Sequence, residues 1–317
     1  MIDLYLALPA FIVGVVFIYK GSDILVDGTA KTAVRLGIST LIISVILIGF
    51  GTSAPEFAIS VGAAVQNNSE ISLGNIIGSC IANLLLVLGV AAIIRPIKIK
   101  KGIIKREFPI MLGATIVLLV SSFLGLLDKY HLIGGILFLL LFTSFVGYYV
   151  LSARKERDKK KKIDTEKTSK NLFFIVLGII GVVAGAWLLI ESAVIIAEFL
   201  HISPFIIAIS IVAVGTSIPE LVVSSMAAYK NEHDIAIGNV LGSNVFNIFL
   251  ILGFASLFIP LRALGSLTHL WILLAVTLVM FLILYTGHSI SRKEGVFMLS
   301  LYSVFIWYTF FGYSLFF

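Results

Sequence analysis

Residues 51–56 read GTSAPE, inside the run LIISVILIGFGTSAPEFAISVGAAV (41–65), which is otherwise apolar. A glutamate, a proline and two hydroxyls stand where a lipid-spanning helix would carry hydrocarbon. An acidic side chain at the bilayer centre costs about 3 kcal/mol on insertion scales. Glu56 therefore needs a neutralising partner, and the rest of the chain identifies one.

The setting is a membrane. The 317 residues are 59% hydrophobic and 13% charged, with mean hydropathy +1.11, whereas a soluble domain carries about 25% charged residues. So many apolar residues cannot hide in one aqueous core, and an all-α integral membrane protein of the cell membrane is expected. The single cysteine, Cys80, excludes an internal disulfide and a cysteine metal cluster. The net charge of +6 does not point to nucleic acid, because the positive residues fall in loops between apolar runs. The first apolar stretch is too long for a signal peptide.

Ten apolar runs fall near 4–28, 38–65, 71–94, 107–127, 132–152, 172–198, 203–229, 235–259, 267–286 and 296–316, each long enough to cross a bilayer. The polar segment ARKERDKKKKIDTEKTSK (153–170) divides them into two groups of five. This gives a first five-helix unit over 1–152, a basic linker over 153–170 and a second five-helix unit over 171–317. The two units are copies. With residue n beside n + 164, 51–89 lies over 215–253 without a gap, and 18 of the 39 positions are identical. Upstream, Gly14 lies over Gly178, and Asp27 over Glu191. Five is odd, so the second copy enters from the opposite side. The expected architecture is ten transmembrane helices as two inverted repeats, as in many secondary transporters.

Lys and Arg set the orientation. With the linker cytoplasmic, the inner segments hold 20 of the 23 Lys and Arg. The outer loops hold only Lys129 and Arg262, and Lys20 lies within the first span. By the positive-inside rule both termini face outward.

Each unit is expected to carry two discontinuous spans. The first breaks at GTSAP and GTSIP, where glycine loosens the helix and proline removes a donor. The second breaks near GNIIGSCIAN and GNVLGSNVFN. Irregular backbone at membrane depth persists only where it is buried or lines a wet cavity, and the freed carbonyls suit hard cations. Thr52 and Ser53 stand four and three residues before Glu56, so all three are expected to share one helix face. Ser79 and Asn83 are four apart on the partner span. The second copy supplies Thr216, Ser217, Glu220, Ser243 and Asn247. All these candidates carry oxygen, which suits Ca²⁺, Na⁺, Mg²⁺ or Mn²⁺ rather than zinc or copper. Spans two, three, seven and eight contain no Lys or Arg at depth. The partner of Glu56 is therefore a cation or a proton.

GTSxPE followed by GNxxGSxxxN, present twice in opposed halves, resembles the cation/calcium exchanger superfamily, in particular its sodium/calcium exchangers of microbial type. The two motif blocks cover about 80 of the 317 residues, and the gapless repeat extends the match to nearly the whole chain. The resemblance implies electrogenic Na⁺/Ca²⁺ antiport by alternating access, with both ions competing for one cluster of sites. It implies that Glu56 and Glu220 bind the ions, helped by Thr52, Ser53, Thr216, Ser217, Ser79, Ser243, Asn83 and Asn247. Gly49 and Ala213 match positions offering backbone carbonyls. The first and sixth spans match a long tilted pair that slides across the core. Some branches carry Asp where this chain has Asn247, so the site here has two carboxylates.

Ca²⁺ and Na⁺ are thus the expected substrates, with the bilayer as surroundings, no cofactor and no obligate protein partner. An H⁺/Ca²⁺ antiporter is the open alternative. A channel is a weaker one, because pores usually arise from rings of subunits. An enzyme is not expected, since no nucleophile–base pair lies at depth. Lys20, Asp23 and Asp27 read as a local or snorkelling ion pair, and Glu191 lies near its span end. His131, His201 and His288 fall in loops. The run KKKK (159–162) could touch anionic lipid, although topology signalling suffices. Gly74, Gly78, Gly238 and Gly242 read as close-packing positions that also allow a break.

Overall fold

The computed structural model describes residues 4–158, 168–200, 215–261 and 267–309. Among these, six helices are long and apolar enough to cross a bilayer: α1 (Tyr5–Leu36), α4 (Ser69–Ile94), α6 (His131–Arg157), α7 (Lys170–Ala197), α9 (His233–Ala255) and α10 (Leu267–Gly287). Helices α2 (Thr40–Thr52) and α3 (Ala54–Val65) meet at a 47° bend and are together long and apolar enough for a seventh crossing. Shorter helices are α5 (Phe108–Phe123), α8 (Ile218–Tyr229) and α11 (Arg292–Trp307). They overlap the remaining three expected spans, of which residues 203–214 and 310–316 lie outside the described residues. The chain is an all-α membrane protein; among the described residues one two-residue strand pair also occurs, β1 (Ile97–Lys98) against β2 (Ser289–Ile290).

Helix α1 belongs to a helical stretch of 33 residues, about 50 Å long at 1.5 Å per residue, more than the roughly 30 Å of a hydrocarbon core. It lies antiparallel along α7 on a seam of glycines. A Cβ on Gly14 would stand 2.9 Å from the carbonyl oxygen of Gly185, and one on Gly21 would stand 2.8 Å from the amide nitrogen of Val182. From the other side, a Cβ on Gly178 would meet Leu25 at 2.7 Å, and one on Gly185 would meet Ile18 at 2.7 Å. No side chain fits at these four positions. The partners are exchanged: Gly14 and Gly178 are copies of each other, as are Gly21 and Gly185, and each meets the copy of the other.

The break in the first motif occurs at Ser53, whose backbone (φ −80°, ψ 9°) leaves the helical region between Thr52 and Ala54. Ser217 has almost the same conformation (φ −86°, ψ 4°). Proline stands in the first turn of the helix that follows each serine, where its missing N–H costs nothing. The turns after these helices match too. Asn67 (φ 61°) and Asn231 (φ 63°) take the left-handed conformation that Asn tolerates better than most residues.

The second expected break does not occur. Ser69–Ile94 and His233–Ala255 each run on as one helix. Each instead contains a π turn, at Asn83–Val87 and Phe246–Ile251. A π turn loosens the hydrogen-bond ladder within a continuous helix. The close-packing role expected of the glycines holds only in the second copy: a Cβ on Gly238 would meet Ser44 at 3.0 Å and one on Gly242 the Val45 carbonyl at 2.4 Å, whereas one on Gly74 or Gly78 would meet nothing within 4 Å among the described residues.

At the ends of the spans, ionic contacts tie the helices together. Lys230 Nζ lies 2.6 Å from Asp23 Oδ1 and 2.6 Å from Asp27 Oδ1, joining α8 to α1. Asp27 also faces Lys31 at 3.8 Å. Lys20 contacts the Tyr19 ring, so the aspartates pair across helices rather than with Lys20. Both aspartates are nearly half exposed, so Lys230→Ala is expected to cost only about 0.5–1 kcal/mol. It should appear as a small fall in melting temperature at low salt that shrinks in high salt. Between α5 and α6, buried Glu107 accepts from the Tyr149 hydroxyl and pairs with Arg106 at 2.6 Å. His131 opens α6 rather than lying in a loop, and its Nδ1 lies 2.7 Å from the Ser256 carbonyl. His201, Arg262 and the KKKK run lie outside the described residues.

Candidate cation site

Both motif glutamates are fully buried, each in the first turn after its serine break. Glu220 Oε1 accepts from Ser53 Oγ at 3.2 Å and from Ser243 Oγ at 3.3 Å. Thr52 also lies beside this carboxylate. Ser79, Thr216 and the charge of Glu220 are all near enough to act on Glu56. Yet neither oxygen of Glu56 receives a hydrogen bond among the described residues.

This geometry corrects one reading of the spacing. Thr52 and Ser53 do not share a helix face with Glu56, because the helix breaks between them. The break turns Ser53 toward Glu220, and Thr52 toward Asn239 Oδ1 (3.0 Å) and Ser243 Oγ (3.3 Å). The hydroxyls therefore cross between the copies. Thr52 and Ser53 serve Glu220, and Thr216 stands by Glu56. Ser243 Oγ also lies 3.3 Å from the Gly49 carbonyl oxygen, a second acceptor within reach of its one hydroxyl hydrogen. Ala213, the expected counterpart of Gly49, lies outside the described residues.

Close helix approach permits the crossing. A Cβ on Gly242 would fall 2.4 Å from the Val45 carbonyl oxygen, and one on Gly49 would fall 2.9 Å from the Ser243 nitrogen. Helix α9 thus rests backbone to backbone on α2 exactly one residue from Ser243. Two further residues hold the glutamate backbones. Asn75 Nδ2 donates to the Glu56 carbonyl (3.4 Å) and to Ser60 Oγ (2.8 Å). Asn239 Nδ2 does the same for the Glu220 carbonyl (3.4 Å) and Ser224 Oγ (3.0 Å). None of these four was among the candidates, although the repeated GN of GNxxGS was a signal for both asparagines.

The unpaired polar atoms are concentrated here. Both oxygens of Glu56, Glu220 Oε2, Thr216 Oγ1, Ser217 Oγ, Asn83 Oδ1 and both amide atoms of Asn247 are buried without a hydrogen-bond partner among the described residues. No ion pair reaches either glutamate among those residues. A buried carboxylate without donors or a counter-charge is strongly disfavoured. A cluster of inward oxygens with two negative charges suits a hard cation, which takes six to eight oxygen ligands when it is Ca²⁺. No group of three or more His, Cys, Asp or Glu that could hold a metal occurs among the described residues, so neutral oxygens would make up most of the shell.

A many-helix membrane protein with such a cluster at depth falls in the class of cation-handling membrane proteins. Its sequence agrees with that class. The model of the family described as "Sodium/calcium exchanger protein" matches residues 6–151 and again 170–311, and the chain belongs to that family. Sodium/calcium exchanger MaX1 of Methanosarcina acetivorans is 34% identical, the match covering 93% of this chain and 96% of MaX1. Membrane protein MJ0091 of Methanocaldococcus jannaschii is also 34% identical, over 95% of this chain and 97% of its own length. A solved structure of the sodium-calcium exchanger NCX_Mj, soaked with 10 mM Na⁺ and zero Ca²⁺, superposes with TM-score 0.85 at 32% identity. The superposition covers 95% of this chain and 98% of that one.

Proposed function

We propose that the protein is a secondary antiporter of the cell membrane that exchanges Na⁺ for Ca²⁺ by alternating access, and not an enzyme. The observation that carries this reading is the pair of fully buried glutamates, Glu56 and Glu220, amid buried oxygens that lack hydrogen-bond partners among the described residues. MaX1 and NCX_Mj are named as exchangers of these two ions, which supports the choice of substrates. The ligands are Glu56, Glu220, Thr52, Ser53, Thr216, Ser217, Ser79, Ser243, Asn83 and Asn247, with the carbonyls of Gly49 and Ala213. Two carboxylates neutralise one Ca²⁺, whereas several Na⁺ leave a different net charge, so exchange is electrogenic.

The architecture that goes with this function is ten transmembrane helices in two inverted five-helix units, 1–152 and 171–317, joined by a cytoplasmic linker at 153–170, with both termini outside. The exchanged glycine partners of α1 and α7, and the hydroxyls that cross between copies, are what an inverted two-fold relation would produce.

Proton coupling is the second reading, since Glu56 receives no donor among the described residues and could take a proton. Uptake of ⁴⁵Ca²⁺ into proteoliposomes under imposed Na⁺, K⁺ or H⁺ gradients tests both. The sodium reading expects uptake to follow an outward Na⁺ gradient and to respond to voltage. Under it, Ser53→Ala and Ser217→Ala should weaken Na⁺ dependence more than Ca²⁺ binding. Uptake that persists with no Na⁺ on either side and tracks the pH gradient would decide for protons.

A further inference from the structure

Residues 80 and 244 are copies of each other, and they meet where α4 crosses α9. Here the copies differ: one is Cys80 and the other Asn244. Asn244 is buried, and its amide orientation is fixed by its surroundings. Its Nδ2 faces two acceptors, the Cys80 carbonyl at 3.3 Å and Met111 Sδ at 3.6 Å. An amide has two donor hydrogens on nitrogen and only lone pairs on oxygen, so a flip would set oxygen against both acceptors. Asn244 Oδ1 must therefore point the other way, where it accepts from Asn83 Nδ2 at 3.0 Å. That bond orients the second amide in turn. With Asn83 Nδ2 committed to Asn244, Asn83 Oδ1 is left buried and without a hydrogen-bond partner among the described residues.

The other copy lacks this device. Asn247 lies beside the Cys80 thiol, yet neither of its amide atoms has a hydrogen-bond partner among the described residues. The Cys80 thiol donates to the Asn244 backbone carbonyl at 3.9 Å, which leaves the sulfur only weak lone pairs to offer the Asn247 amide. We infer that Asn244 is a positioning residue that presents Asn83 to the ion as an oxygen ligand, whereas Asn247 has only the weaker sulfur of Cys80 in that role. The two halves of the site are then chemically unequal although their motif ligands match.

This inference rests on the assignment of Asn83 as an ion ligand, and a double-mutant cycle separates the two. Ca²⁺ affinity is measured by titration calorimetry on the purified full chain in Na⁺-free buffer, with melting temperature recorded alongside. Asn244→Leu keeps the branched outline of the side chain but removes its donor and acceptor. It is expected to weaken Ca²⁺ binding about tenfold, as Asn83→Ala does, by the loss of one oriented contact. The double variant should be no weaker than Asn83→Ala alone. If Asn244→Leu does not fold, Asn244→Ala takes its place in the cycle. Unchanged affinity in Asn83→Ala would overturn the ligand assignment itself. Weakening by Asn83→Ala with none by the Asn244 variant, or two effects that simply add, would overturn the positioning role.

Discussion

Glu56→Gln and Glu220→Gln are each expected to abolish Ca²⁺ exchange in proteoliposomes while leaving the protein folded. The two glutamates supply all the fixed negative charge of the cluster, and no other charged side chain reaches it among the described residues. Removing one charge from a buried, desolvated pair costs about 2–5 kcal/mol, or roughly 30- to 4,000-fold in affinity. The fold should not suffer, because glutamine fills the same space without a buried charge: at 56 it replaces a carboxylate that receives no donor among the described residues, and at 220 its oxygen can still accept from Ser53 and Ser243. The stabilisation that bound Ca²⁺ gives the wild type should disappear, with the ion-free melting temperature unchanged or higher. Near wild-type exchange in either variant would remove that glutamate from the site.

The second large effect is expected from the smallest possible insertion, Gly242→Ala. The added methyl would lie 2.4 Å from the Val45 carbonyl oxygen and 2.9 Å from Val45 Cα. Both are backbone atoms that no rotamer change can clear. Helix α9 must back away from α2, which draws Ser243 off the Gly49 carbonyl and off Glu220. Overpacking of this kind costs about 3 kcal/mol, or roughly 10 °C of melting temperature in a chain of this size. Ca²⁺ affinity should fall with it. Gly147→Ala is the control, since its added carbon meets nothing within 4 Å among the described residues. It should change stability by no more than about 1 kcal/mol. A Gly242→Ala protein with wild-type melting temperature and Ca²⁺ affinity would mean that this contact does not hold the site together.

The sequence made the repeat, the membrane setting and the identity of the buried acids readable, because each is written in residue type. A glutamate amid hydrocarbon is anomalous at any register, and the n + 164 match needs no geometry. Contacts that depend on the path of the backbone were not readable. The i,i+3 spacing assigned Ser53 to Glu56, but the break at Ser53 hands it to Glu220. The π turns at Asn83–Val87 and Phe246–Ile251 have no residue signature, so the glycines upstream were read as breaks. Lys230 finds Asp23 and Asp27 from 203 residues away or more, beyond any local pattern. Asn75 and Asn239 were visible in the motif, but their role as backbone braces depends on the turn that brings them under the glutamates.

The crossing of hydroxyls between the copies also bears on how the protein is made. Glu56 leaves the ribosome 164 residues ahead of Glu220, which at about 5–20 residues per second is roughly 8–33 s. For that interval it lacks Thr216 and every other neighbour from the second copy. Its span must then enter the bilayer on its own hydrocarbon. Each Leu, Ile, Val or Phe near the helix centre contributes about 0.3–0.6 kcal/mol, against about 3 kcal/mol for the acid. The run LIISVILIGF at 41–50 is therefore a demand of synthesis, satisfied before there is any ion to bind.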